Sequence, residues 1–331
     1  SGGSSLHICP EACYGATLGS LVLYDGVLSI LSNNHVLARN GAAVEGEPDI
    51  QPGLIDLACS AATANVVGNF AGNKVPLGTA NVDAAIATAN ANVDATGTIM
   101  DIGVPCSEIQ APVVGLNVIK SGRTTGLTYG AIQATDFTLG LAYQPTGCLV
   151  PPDKKKKVIK AEFTGQVVIV AAAPSTIFST GGDSGSLIVS NDGTPNPTAL
   201  LFAASDTVTV GNPIQDVVSA FQAGGHTFTF VGNTCGETVS SGYEPAFPGP
   251  GRRPSDSDLD SARAVKARHE ADLLARPGVL GVGVGAADDN SAEAAVIVYV
   301  NVPEGSHPRG FPSDLDGVRL RVIPSGPIVP L

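Results

Sequence analysis

Tryptophan is absent from this 331-residue chain, methionine occurs once, and aromatic residues make up only 5 %. Charged residues are scarce too, at 15 % against about 25 % in an average globular protein. These shortages exclude a coiled coil, a bundle of long salt-bridged helices and a polyampholyte disordered chain. No apolar run reaches the roughly 18 residues that a membrane-spanning helix needs, so no span is expected. With a net charge of −12, the basic surface that would neutralise phosphates is missing, and nucleic acid is not expected as a partner. The opening Ser1-Gly2-Gly3-Ser4-Ser5 carries neither methionine nor a signal pattern. It reads as a processed or appended start that would hide an export signal. An extracytoplasmic location is the expectation, with a cytoplasmic one left open.

What the chain has in quantity is hydrophobic residues at 43 %, with 40 glycines and 24 prolines. That balance suits many short strands joined by tight turns. The charge deficit is uneven. Residues 1–250 hold 28 charged positions, or 11 %, whereas residues 251–331 hold 20, or 25 %. A seam therefore lies near residue 250, where Phe247-Pro248-Gly249-Pro250-Gly251 reads as a linker.

All six cysteines (Cys9, Cys13, Cys59, Cys106, Cys148, Cys235) precede the seam. They permit up to three disulfides, and a chain of this length also tolerates buried free thiols. Cys9 and Cys13 have no second close pair to complete a zinc site, so no metal or other cofactor is expected.

Before the seam, short apolar segments alternate with turn signals. Leu21–Tyr24 and Val27–Leu31 flank Asp25-Gly26 as a β-hairpin. Further strands are expected at 66–67, 84–87, 113–119, 131–134, 158–163, 167–172, 187–189, 200–203 and 228–231. A short helix is expected over Ile214–Phe221. This spacing favours an all-β barrel or sandwich. After the seam, Leu259, Ala262, Val265, His269 and Leu273 recur at helical intervals over Asp256–Ala275, and Arg276-Pro277-Gly278 stops the helix. Strands follow at Val279–Val284, Ala294–Val302 and Val318–Ile323, making a small α+β module. Three prolines in Pro324–Leu331 mark an extended tail.

Three segments bear chemistry. Thr180-Gly181-Gly182-Asp183-Ser184-Gly185-Ser186 leads into an apolar strand. Serine needs a neighbouring base to act as a nucleophile, and flanking glycines let backbone N–H groups converge on an oxyanion. His35 ends the apolar run Leu28–Leu31 after Ser32-Asn33-Asn34, and Asp83 leads Ala84-Ala85-Ile86-Ala87. Taken singly, the histidine and the aspartate read as structural. Their order, with intervals of 48 and 101 residues, changes that reading.

In this order the segments resemble the trypsin/chymotrypsin-like serine proteases, closest to the narrow-leaf-type branch of bacteria and plants. Lys120–Thr128, Leu200–Ser205 and Asn212-Pro213-Ile214 extend the resemblance over residues 20–235. The resemblance implies a double β-barrel with a cleft between the barrels: residues 1–110 as the first, 111–240 as the second, 241–255 as linker and 256–331 as the α+β appendage. It implies Ser184 as nucleophile, His35 as general base and Asp83 as its orienting acid, with the N–H groups of Gly182 and Ser184 as oxyanion hole. Phe178 stands where trypsin carries its pocket aspartate, and Ala203, Ala204 and Ser205 would flank the pocket. Cleavage of proteins or peptides after small or apolar residues, not after Lys or Arg, is the expectation.

An α/β-hydrolase order through Asp206 or Asp216 and His226 fails on Ser186, which crowds that fold's Gly-x-Ser-x-Gly elbow, and on the lack of alternating helices. Asp256, Asp258 and Asp260 imitate a calcium loop but lack its glycine and its last ligand, and read as a helix N-terminus. Gly281 to Gly285 lack the dinucleotide spacing and read as a strand. Lys154 to Lys157 read as a solvated loop, and His269 as a core or interface histidine. For the appendage two roles stand open: pairing its strands between subunits into a homo-oligomer, or placing its tail in the cleft of a weak or latent protease-fold scaffold.

Overall fold

The computed structural model describes residues 5–6, 15–144, 158–234, 253–289, 291–302 and 310–331. The 247–251 linker, the lysine run at 154–157 and Cys9, Cys13, Cys148 and Cys235 lie outside them. Cys59 and Cys106 are each disulfide-bonded, so the thiol alternative falls for these two.

The hairpin forms as expected: β1 (Ser20–Tyr24) and β2 (Val27–Ser32) pair in register, with Leu23 opposite Leu28. Asp25 and Gly26 take φ of 49° and 77°, the left-handed pair whose twist suits a two-residue hairpin. β3 (Pro48–Gln51), β4 (Asn65–Lys74) and β5 (Ala85–Ala89) follow. The strand β12 (Phe228–Phe230) returns from far along the chain to pair with β1. The antiparallel order is β12-β1-β2-β5-β4-β3, wrapped on Leu18, Leu21, Ile30, Leu37, Val67 and Phe70.

The second unit contains β6 (Asn117–Gly122), β7 (Gly126–Tyr143), β8 (Ile159–Ala171), β9 (Leu187–Ser190), β10 (Pro197–Ala204) and β11 (Thr209–Pro213). They run β8-β11-β10-β9-β6-β7, and β7 pairs back to β8, closing a six-stranded barrel without free edges. The two strands expected at 158–163 and 167–172 are one strand, β8, with register shifts between Phe163 and Ile169 and Gly165 at φ 71°. An irregular ladder of this kind breaks the period-2 pattern without ending the strand. Helix α1 (Ile214–Gln222) caps the junction of the two units, burying Ile214, Val217, Val218 and Phe221 against Val22, Leu31, Ile86, Ile119 and Leu200. The architecture is thus an all-β double barrel with a small α+β addition.

That addition comprises α2 (Asp256–Leu274), β13 (Val279–Ala286), β14 (Ala294–Asn301), β15 (Val318–Ser325) and the two-residue β16 (Val329–Pro330). Its sheet is continuous with the second barrel, because β13 lies antiparallel to β7, followed by β14 and a parallel β15. The glycines of the Gly-Val-Gly-Val-Gly strand explain the close fit. A Cβ on Gly281 would collide with the Phe137 ring, and one on Gly285 with the Gln133 carbonyl. The alternate residues Val282 and Val284 are fully buried, in clusters that hold Val265 and Leu273 and Leu259 and Ala262 of α2.

Ser255 caps α2 by accepting from the Asp258 N–H at 3.2 Å, so the acidic triplet begins a helix. His269 stands at the rim of the helix face, its Nε2 3.0 Å from Asp316, rather than in a core. Its place inward is taken by Lys266, buried with Nζ 3.2 Å from Thr138 Oγ1 and 2.5 Å from Glu270. Among the described residues, no helix is long and apolar enough to cross a membrane.

Candidate active site

His35, Asp83 and Ser184 come from three separate loops and meet where the two barrels join. His35 lies in a single helical turn, Asn34–Leu37, directly after β2. Asp83 precedes β5, and Ser184 sits in the turn before β9. His35 Nδ1 is 2.6 Å from Asp83 Oδ2, and Nε2 is 2.8 Å from Ser184 Oγ. Nδ1–H points at the carboxylate and Nε2 faces the Ser184 oxygen, the ring orientation that a general base requires.

Asp83 is fully buried, and both of its carboxylate oxygens accept hydrogen bonds. Oδ1 accepts from the His35 N–H at 3.0 Å, and Oδ2 accepts from Tyr143 O–H at 2.8 Å. Its own N–H donates to Asn212 Oδ1 at 2.9 Å, and its carbonyl accepts from Asn33 Nδ2 at 2.8 Å. Asn212 is held in turn by Gln166 Oε1 at 2.6 Å, so an amide chain from the second barrel fixes an acid of the first. Burial and the adjacent Asp83 charge push the Tyr143 hydroxyl well above its ordinary range, which keeps it a neutral donor.

The turn that carries Ser184 is left-handed at both glycines, with φ of 94° at Gly182 and 87° at Gly185. A side chain at Gly185 would run into Ser32 Oγ and the Thr17 carbonyl. Between them, Asp183 is fully buried and clamps the Lys120–Gly126 segment. Its Oδ1 accepts from the N–H groups of Thr124 and Thr125 at 2.8 and 3.1 Å. Its Oδ2 accepts from Thr125 Oγ1 at 2.8 Å and Thr180 N–H at 3.0 Å. Lys120 Nζ lies 3.6 Å from the same carboxylate, with neither side chain exposed. Burial brings the Lys120 ammonium down to about 8, against the pull of Asp183 in the other direction. The N–H groups of Gly182 and Ser184 donate to no acceptor among the described residues, and so remain available to a ligand oxygen.

Phe178 is buried in the core of the second barrel with Ile169, Ile188 and Leu201, and Gly130 leaves room for its ring. Ala203 and Ala204 end β10, and Ser205 Oγ is 2.8 Å from Ser325 Oγ. Leu331 packs on the cluster that holds Phe178, and the segment before it runs along Ala203 and Ala204. β16 pairs antiparallel with β10, Pro330 opposite Ala203 and Val329 opposite Ala204. The Leu331 oxygen is 2.9 Å from His35 Nε2 and accepts from Ser184 Oγ–H.

An oxygen bearing only lone pairs can sit at Nε2 only if that nitrogen carries a proton, so the occupied site favours imidazolium. Burial alone would lower the His35 value. The Asp83 charge and hydrogen bond, with a smaller contribution from the Leu331 oxygen, raise it instead.

The structure brings His35, Asp83 and Ser184 within hydrogen-bond distance of one another, as the sequence order suggested; the supporting Tyr143, Asn212, Gln166 and the Lys120–Asp183 pair were not anticipated. Asp183 lies in the glycine-rich segment 180–186 and Lys120 in the segment 120–128, and that proximity to the motifs was the available signal. Tyr143 carried none, being the far end of an 18-residue strand.

No family model matches the chain, and no curated protein sequence is significantly similar to it. Among solved structures it is similar to a glutamic acid specific serine protease, at 17 % identity and TM-score 0.45, over 69 % of this chain and 98 % of that one. It is also similar to Thermobifida fusca protease A, at 16 % identity and TM-score 0.44, over 70 % and 98 %. A third is an alpha-lytic protease homologue, N4, at 18 % identity and TM-score 0.43, over 69 % and 97 %.

Proposed function

We propose that this chain is a serine endopeptidase. The observation that carries the reading is the unbroken line from Asp83 through His35 to Ser184, at 2.6 and 2.8 Å. Ser184 Oγ attacks the scissile carbonyl carbon while His35 Nε2 takes its proton. Asp83 holds the ring and stabilises the imidazolium, and the Gly182 and Ser184 N–H groups receive the oxyanion. Collapse of the tetrahedral intermediate breaks the C–N bond, and His35 gives its proton to the leaving amine. Water, deprotonated by His35, then cleaves the acyl-enzyme and restores Ser184.

Tyr143 acts as a positioning residue through Asp83. Phe178, in place of an acid beneath the pocket, gives no partner for a Lys or Arg side chain of the substrate.

A second reading, a latent scaffold with the protease fold, is favoured by the Leu331 oxygen at Ser184 and His35. A fluorophosphonate reagent, which labels an activated serine, separates the two. Labelling of Ser184 that is lost in Ser184→Ala supports the enzyme. Absence of labelling in folded protein whose tail has been shortened supports the scaffold.

A further inference from the structure

The tail and the cleft fit each other as ligand and site. Leu331 N–H donates to the Phe202 carbonyl at 3.3 Å, and the two preceding residues continue the ladder on β10. This is a strand added to β10 beyond residue 200, where its pairing with β9 ends; in such an addition main-chain bonds give affinity and alternate side chains give selectivity. The side chains divide accordingly. Leu331 packs against the cluster that contains Phe178, Ile169 and Leu201. Val329 points outward and is 49 % exposed. Ile328 is buried among Phe163, Phe202 and Tyr299. The Leu331 oxygen lies within hydrogen-bond distance of both Ser184 Oγ and His35 Nε2, which puts the leucine's carbonyl group beside the serine.

The delivery is built into the fold. β15 belongs to a sheet that continues the barrel wall, and only Gly326 and Pro327 separate it from Ile328. Gly326 N–H donates to Asp206 Oδ1 at 3.0 Å, and Ser325 Oγ meets Ser205 Oγ. These contacts turn the chain into the cleft. A ligand tethered so closely competes at an effective concentration on the order of millimolar or higher.

We propose that Ile328 to Leu331 are a tethered ligand of the cleft's acyl side, which restrains the intact protein and displays its preference. The preferred substrate carries leucine, or an apolar side chain of that size, on the attacked carbonyl. Proline precedes it, and an apolar residue sits three positions before the leucine. The proposal rests on the endopeptidase reading and concerns what that site accepts.

The test compares the full chain with two variants, one lacking residues 329–331 and one carrying Leu331→Glu, each checked for folding by circular dichroism. Fluorophosphonate labelling of Ser184 is expected to quicken by roughly 10-fold or more in both variants. The free peptide Ile-Val-Pro-Leu should slow it again in a dose-dependent way. Ile-Val-Pro-Leu-p-nitroanilide should be cleaved by the shortened chain roughly 100-fold faster than the Lys or Glu counterparts, whose charges would enter an apolar pocket. Equal labelling of all three chains, or equal cleavage of the three substrates, would overturn the proposal.

If no folded chain labels, the endopeptidase reading fails, but the tail is still tested. Calorimetric binding of Ile-Val-Pro-Leu to the shortened chain, and not to the full chain, would uphold its place. No binding to either would refute it.

Discussion

Asp49 is a buried carboxyl with nothing to answer it, and it should make the protein lose stability as pH rises. It lies on β3 with no exposed surface, and neither side-chain oxygen has a hydrogen-bond partner. Burial first, and the negative Glu47 second, push it from an ordinary 3.8 to about 8. The native state therefore keeps a proton that the unfolded chain gives up near its ordinary value. Below that value both states are protonated and the native stability is complete. Above it the unfolded chain gains by ionising, and stability falls until the native carboxyl ionises as well.

Each unit is worth about 1.36 kcal/mol, so the ~3 units between pH 5 and pH 8 correspond to ~4 kcal/mol. Against a total of roughly 5–15 kcal/mol, that is a large share. Asp49→Asn removes the proton and keeps the shape, at a cost of about 1–3 kcal/mol for its buried amide hydrogens. Urea unfolding with disulfides intact, at pH steps from about 5 to about 8, gives the difference between the two proteins, in which other titrating groups cancel. The variant should begin no more stable than the wild type and gain ~4 kcal/mol on it across the range. Parallel profiles would refute the reasoning, since they would mean that Asp49 reaches water or a partner in the native state.

Three further outcomes follow from the site. Because His35 titrates above its ordinary range, peptide hydrolysis should fall on the acid side with a midpoint above about 6.5. Shortening the tail should move that midpoint down, because it removes the Leu331 oxygen, as a pH–rate profile of both chains would reveal. Tyr143→Phe removes one donor to Asp83 Oδ2; kcat should drop by roughly 10-fold with KM little changed. Lys120→Met strands the Asp183 carboxylate and should cost about 3 kcal/mol in a urea titration, partly recovered by adding Asp183→Asn.

The chemistry was legible wherever it was local. Ser184 is announced by a turn that only glycines can make at 182 and 185, and His35 and Asp83 each stand at the end of an apolar run. What the sequence could not display was who meets whom across long intervals. Tyr143 reaches Asp83 across 60 residues and Asn212 reaches it across 129, and neither residue type is unusual where it stands. Strand lengths were misread for a related reason. β7 and β8 pair with each other, and β7 pairs also with β13 of the appended sheet. Tertiary pairing thus extends them well past their apolar cores, so that hydrophobic pattern marks only the most buried stretch of each.

The seam near residue 250 is where that distinction matters most. Composition separated an 11 % charged region from a 25 % charged one, which suggests an independent appendage. The physical boundary is weaker than the compositional one. The three glycines at 281, 283 and 285 are unfavourable in a free strand, since they pack nothing and cost chain entropy. Two of them become necessary once the strand must lie against Phe137 and Gln133. A module selected to fold alone would have no use for them. Their presence argues that the appended sheet is fitted to the barrel wall. A sheet fixed there holds β15 where two residues, Gly326 and Pro327, separate it from Ile328. The glycines that looked like a poor dinucleotide loop are thus the first link in placing Leu331 at Ser184. Replacing Gly281 with valine should undock the sheet, and it should quicken fluorophosphonate labelling as much as removing the tail does.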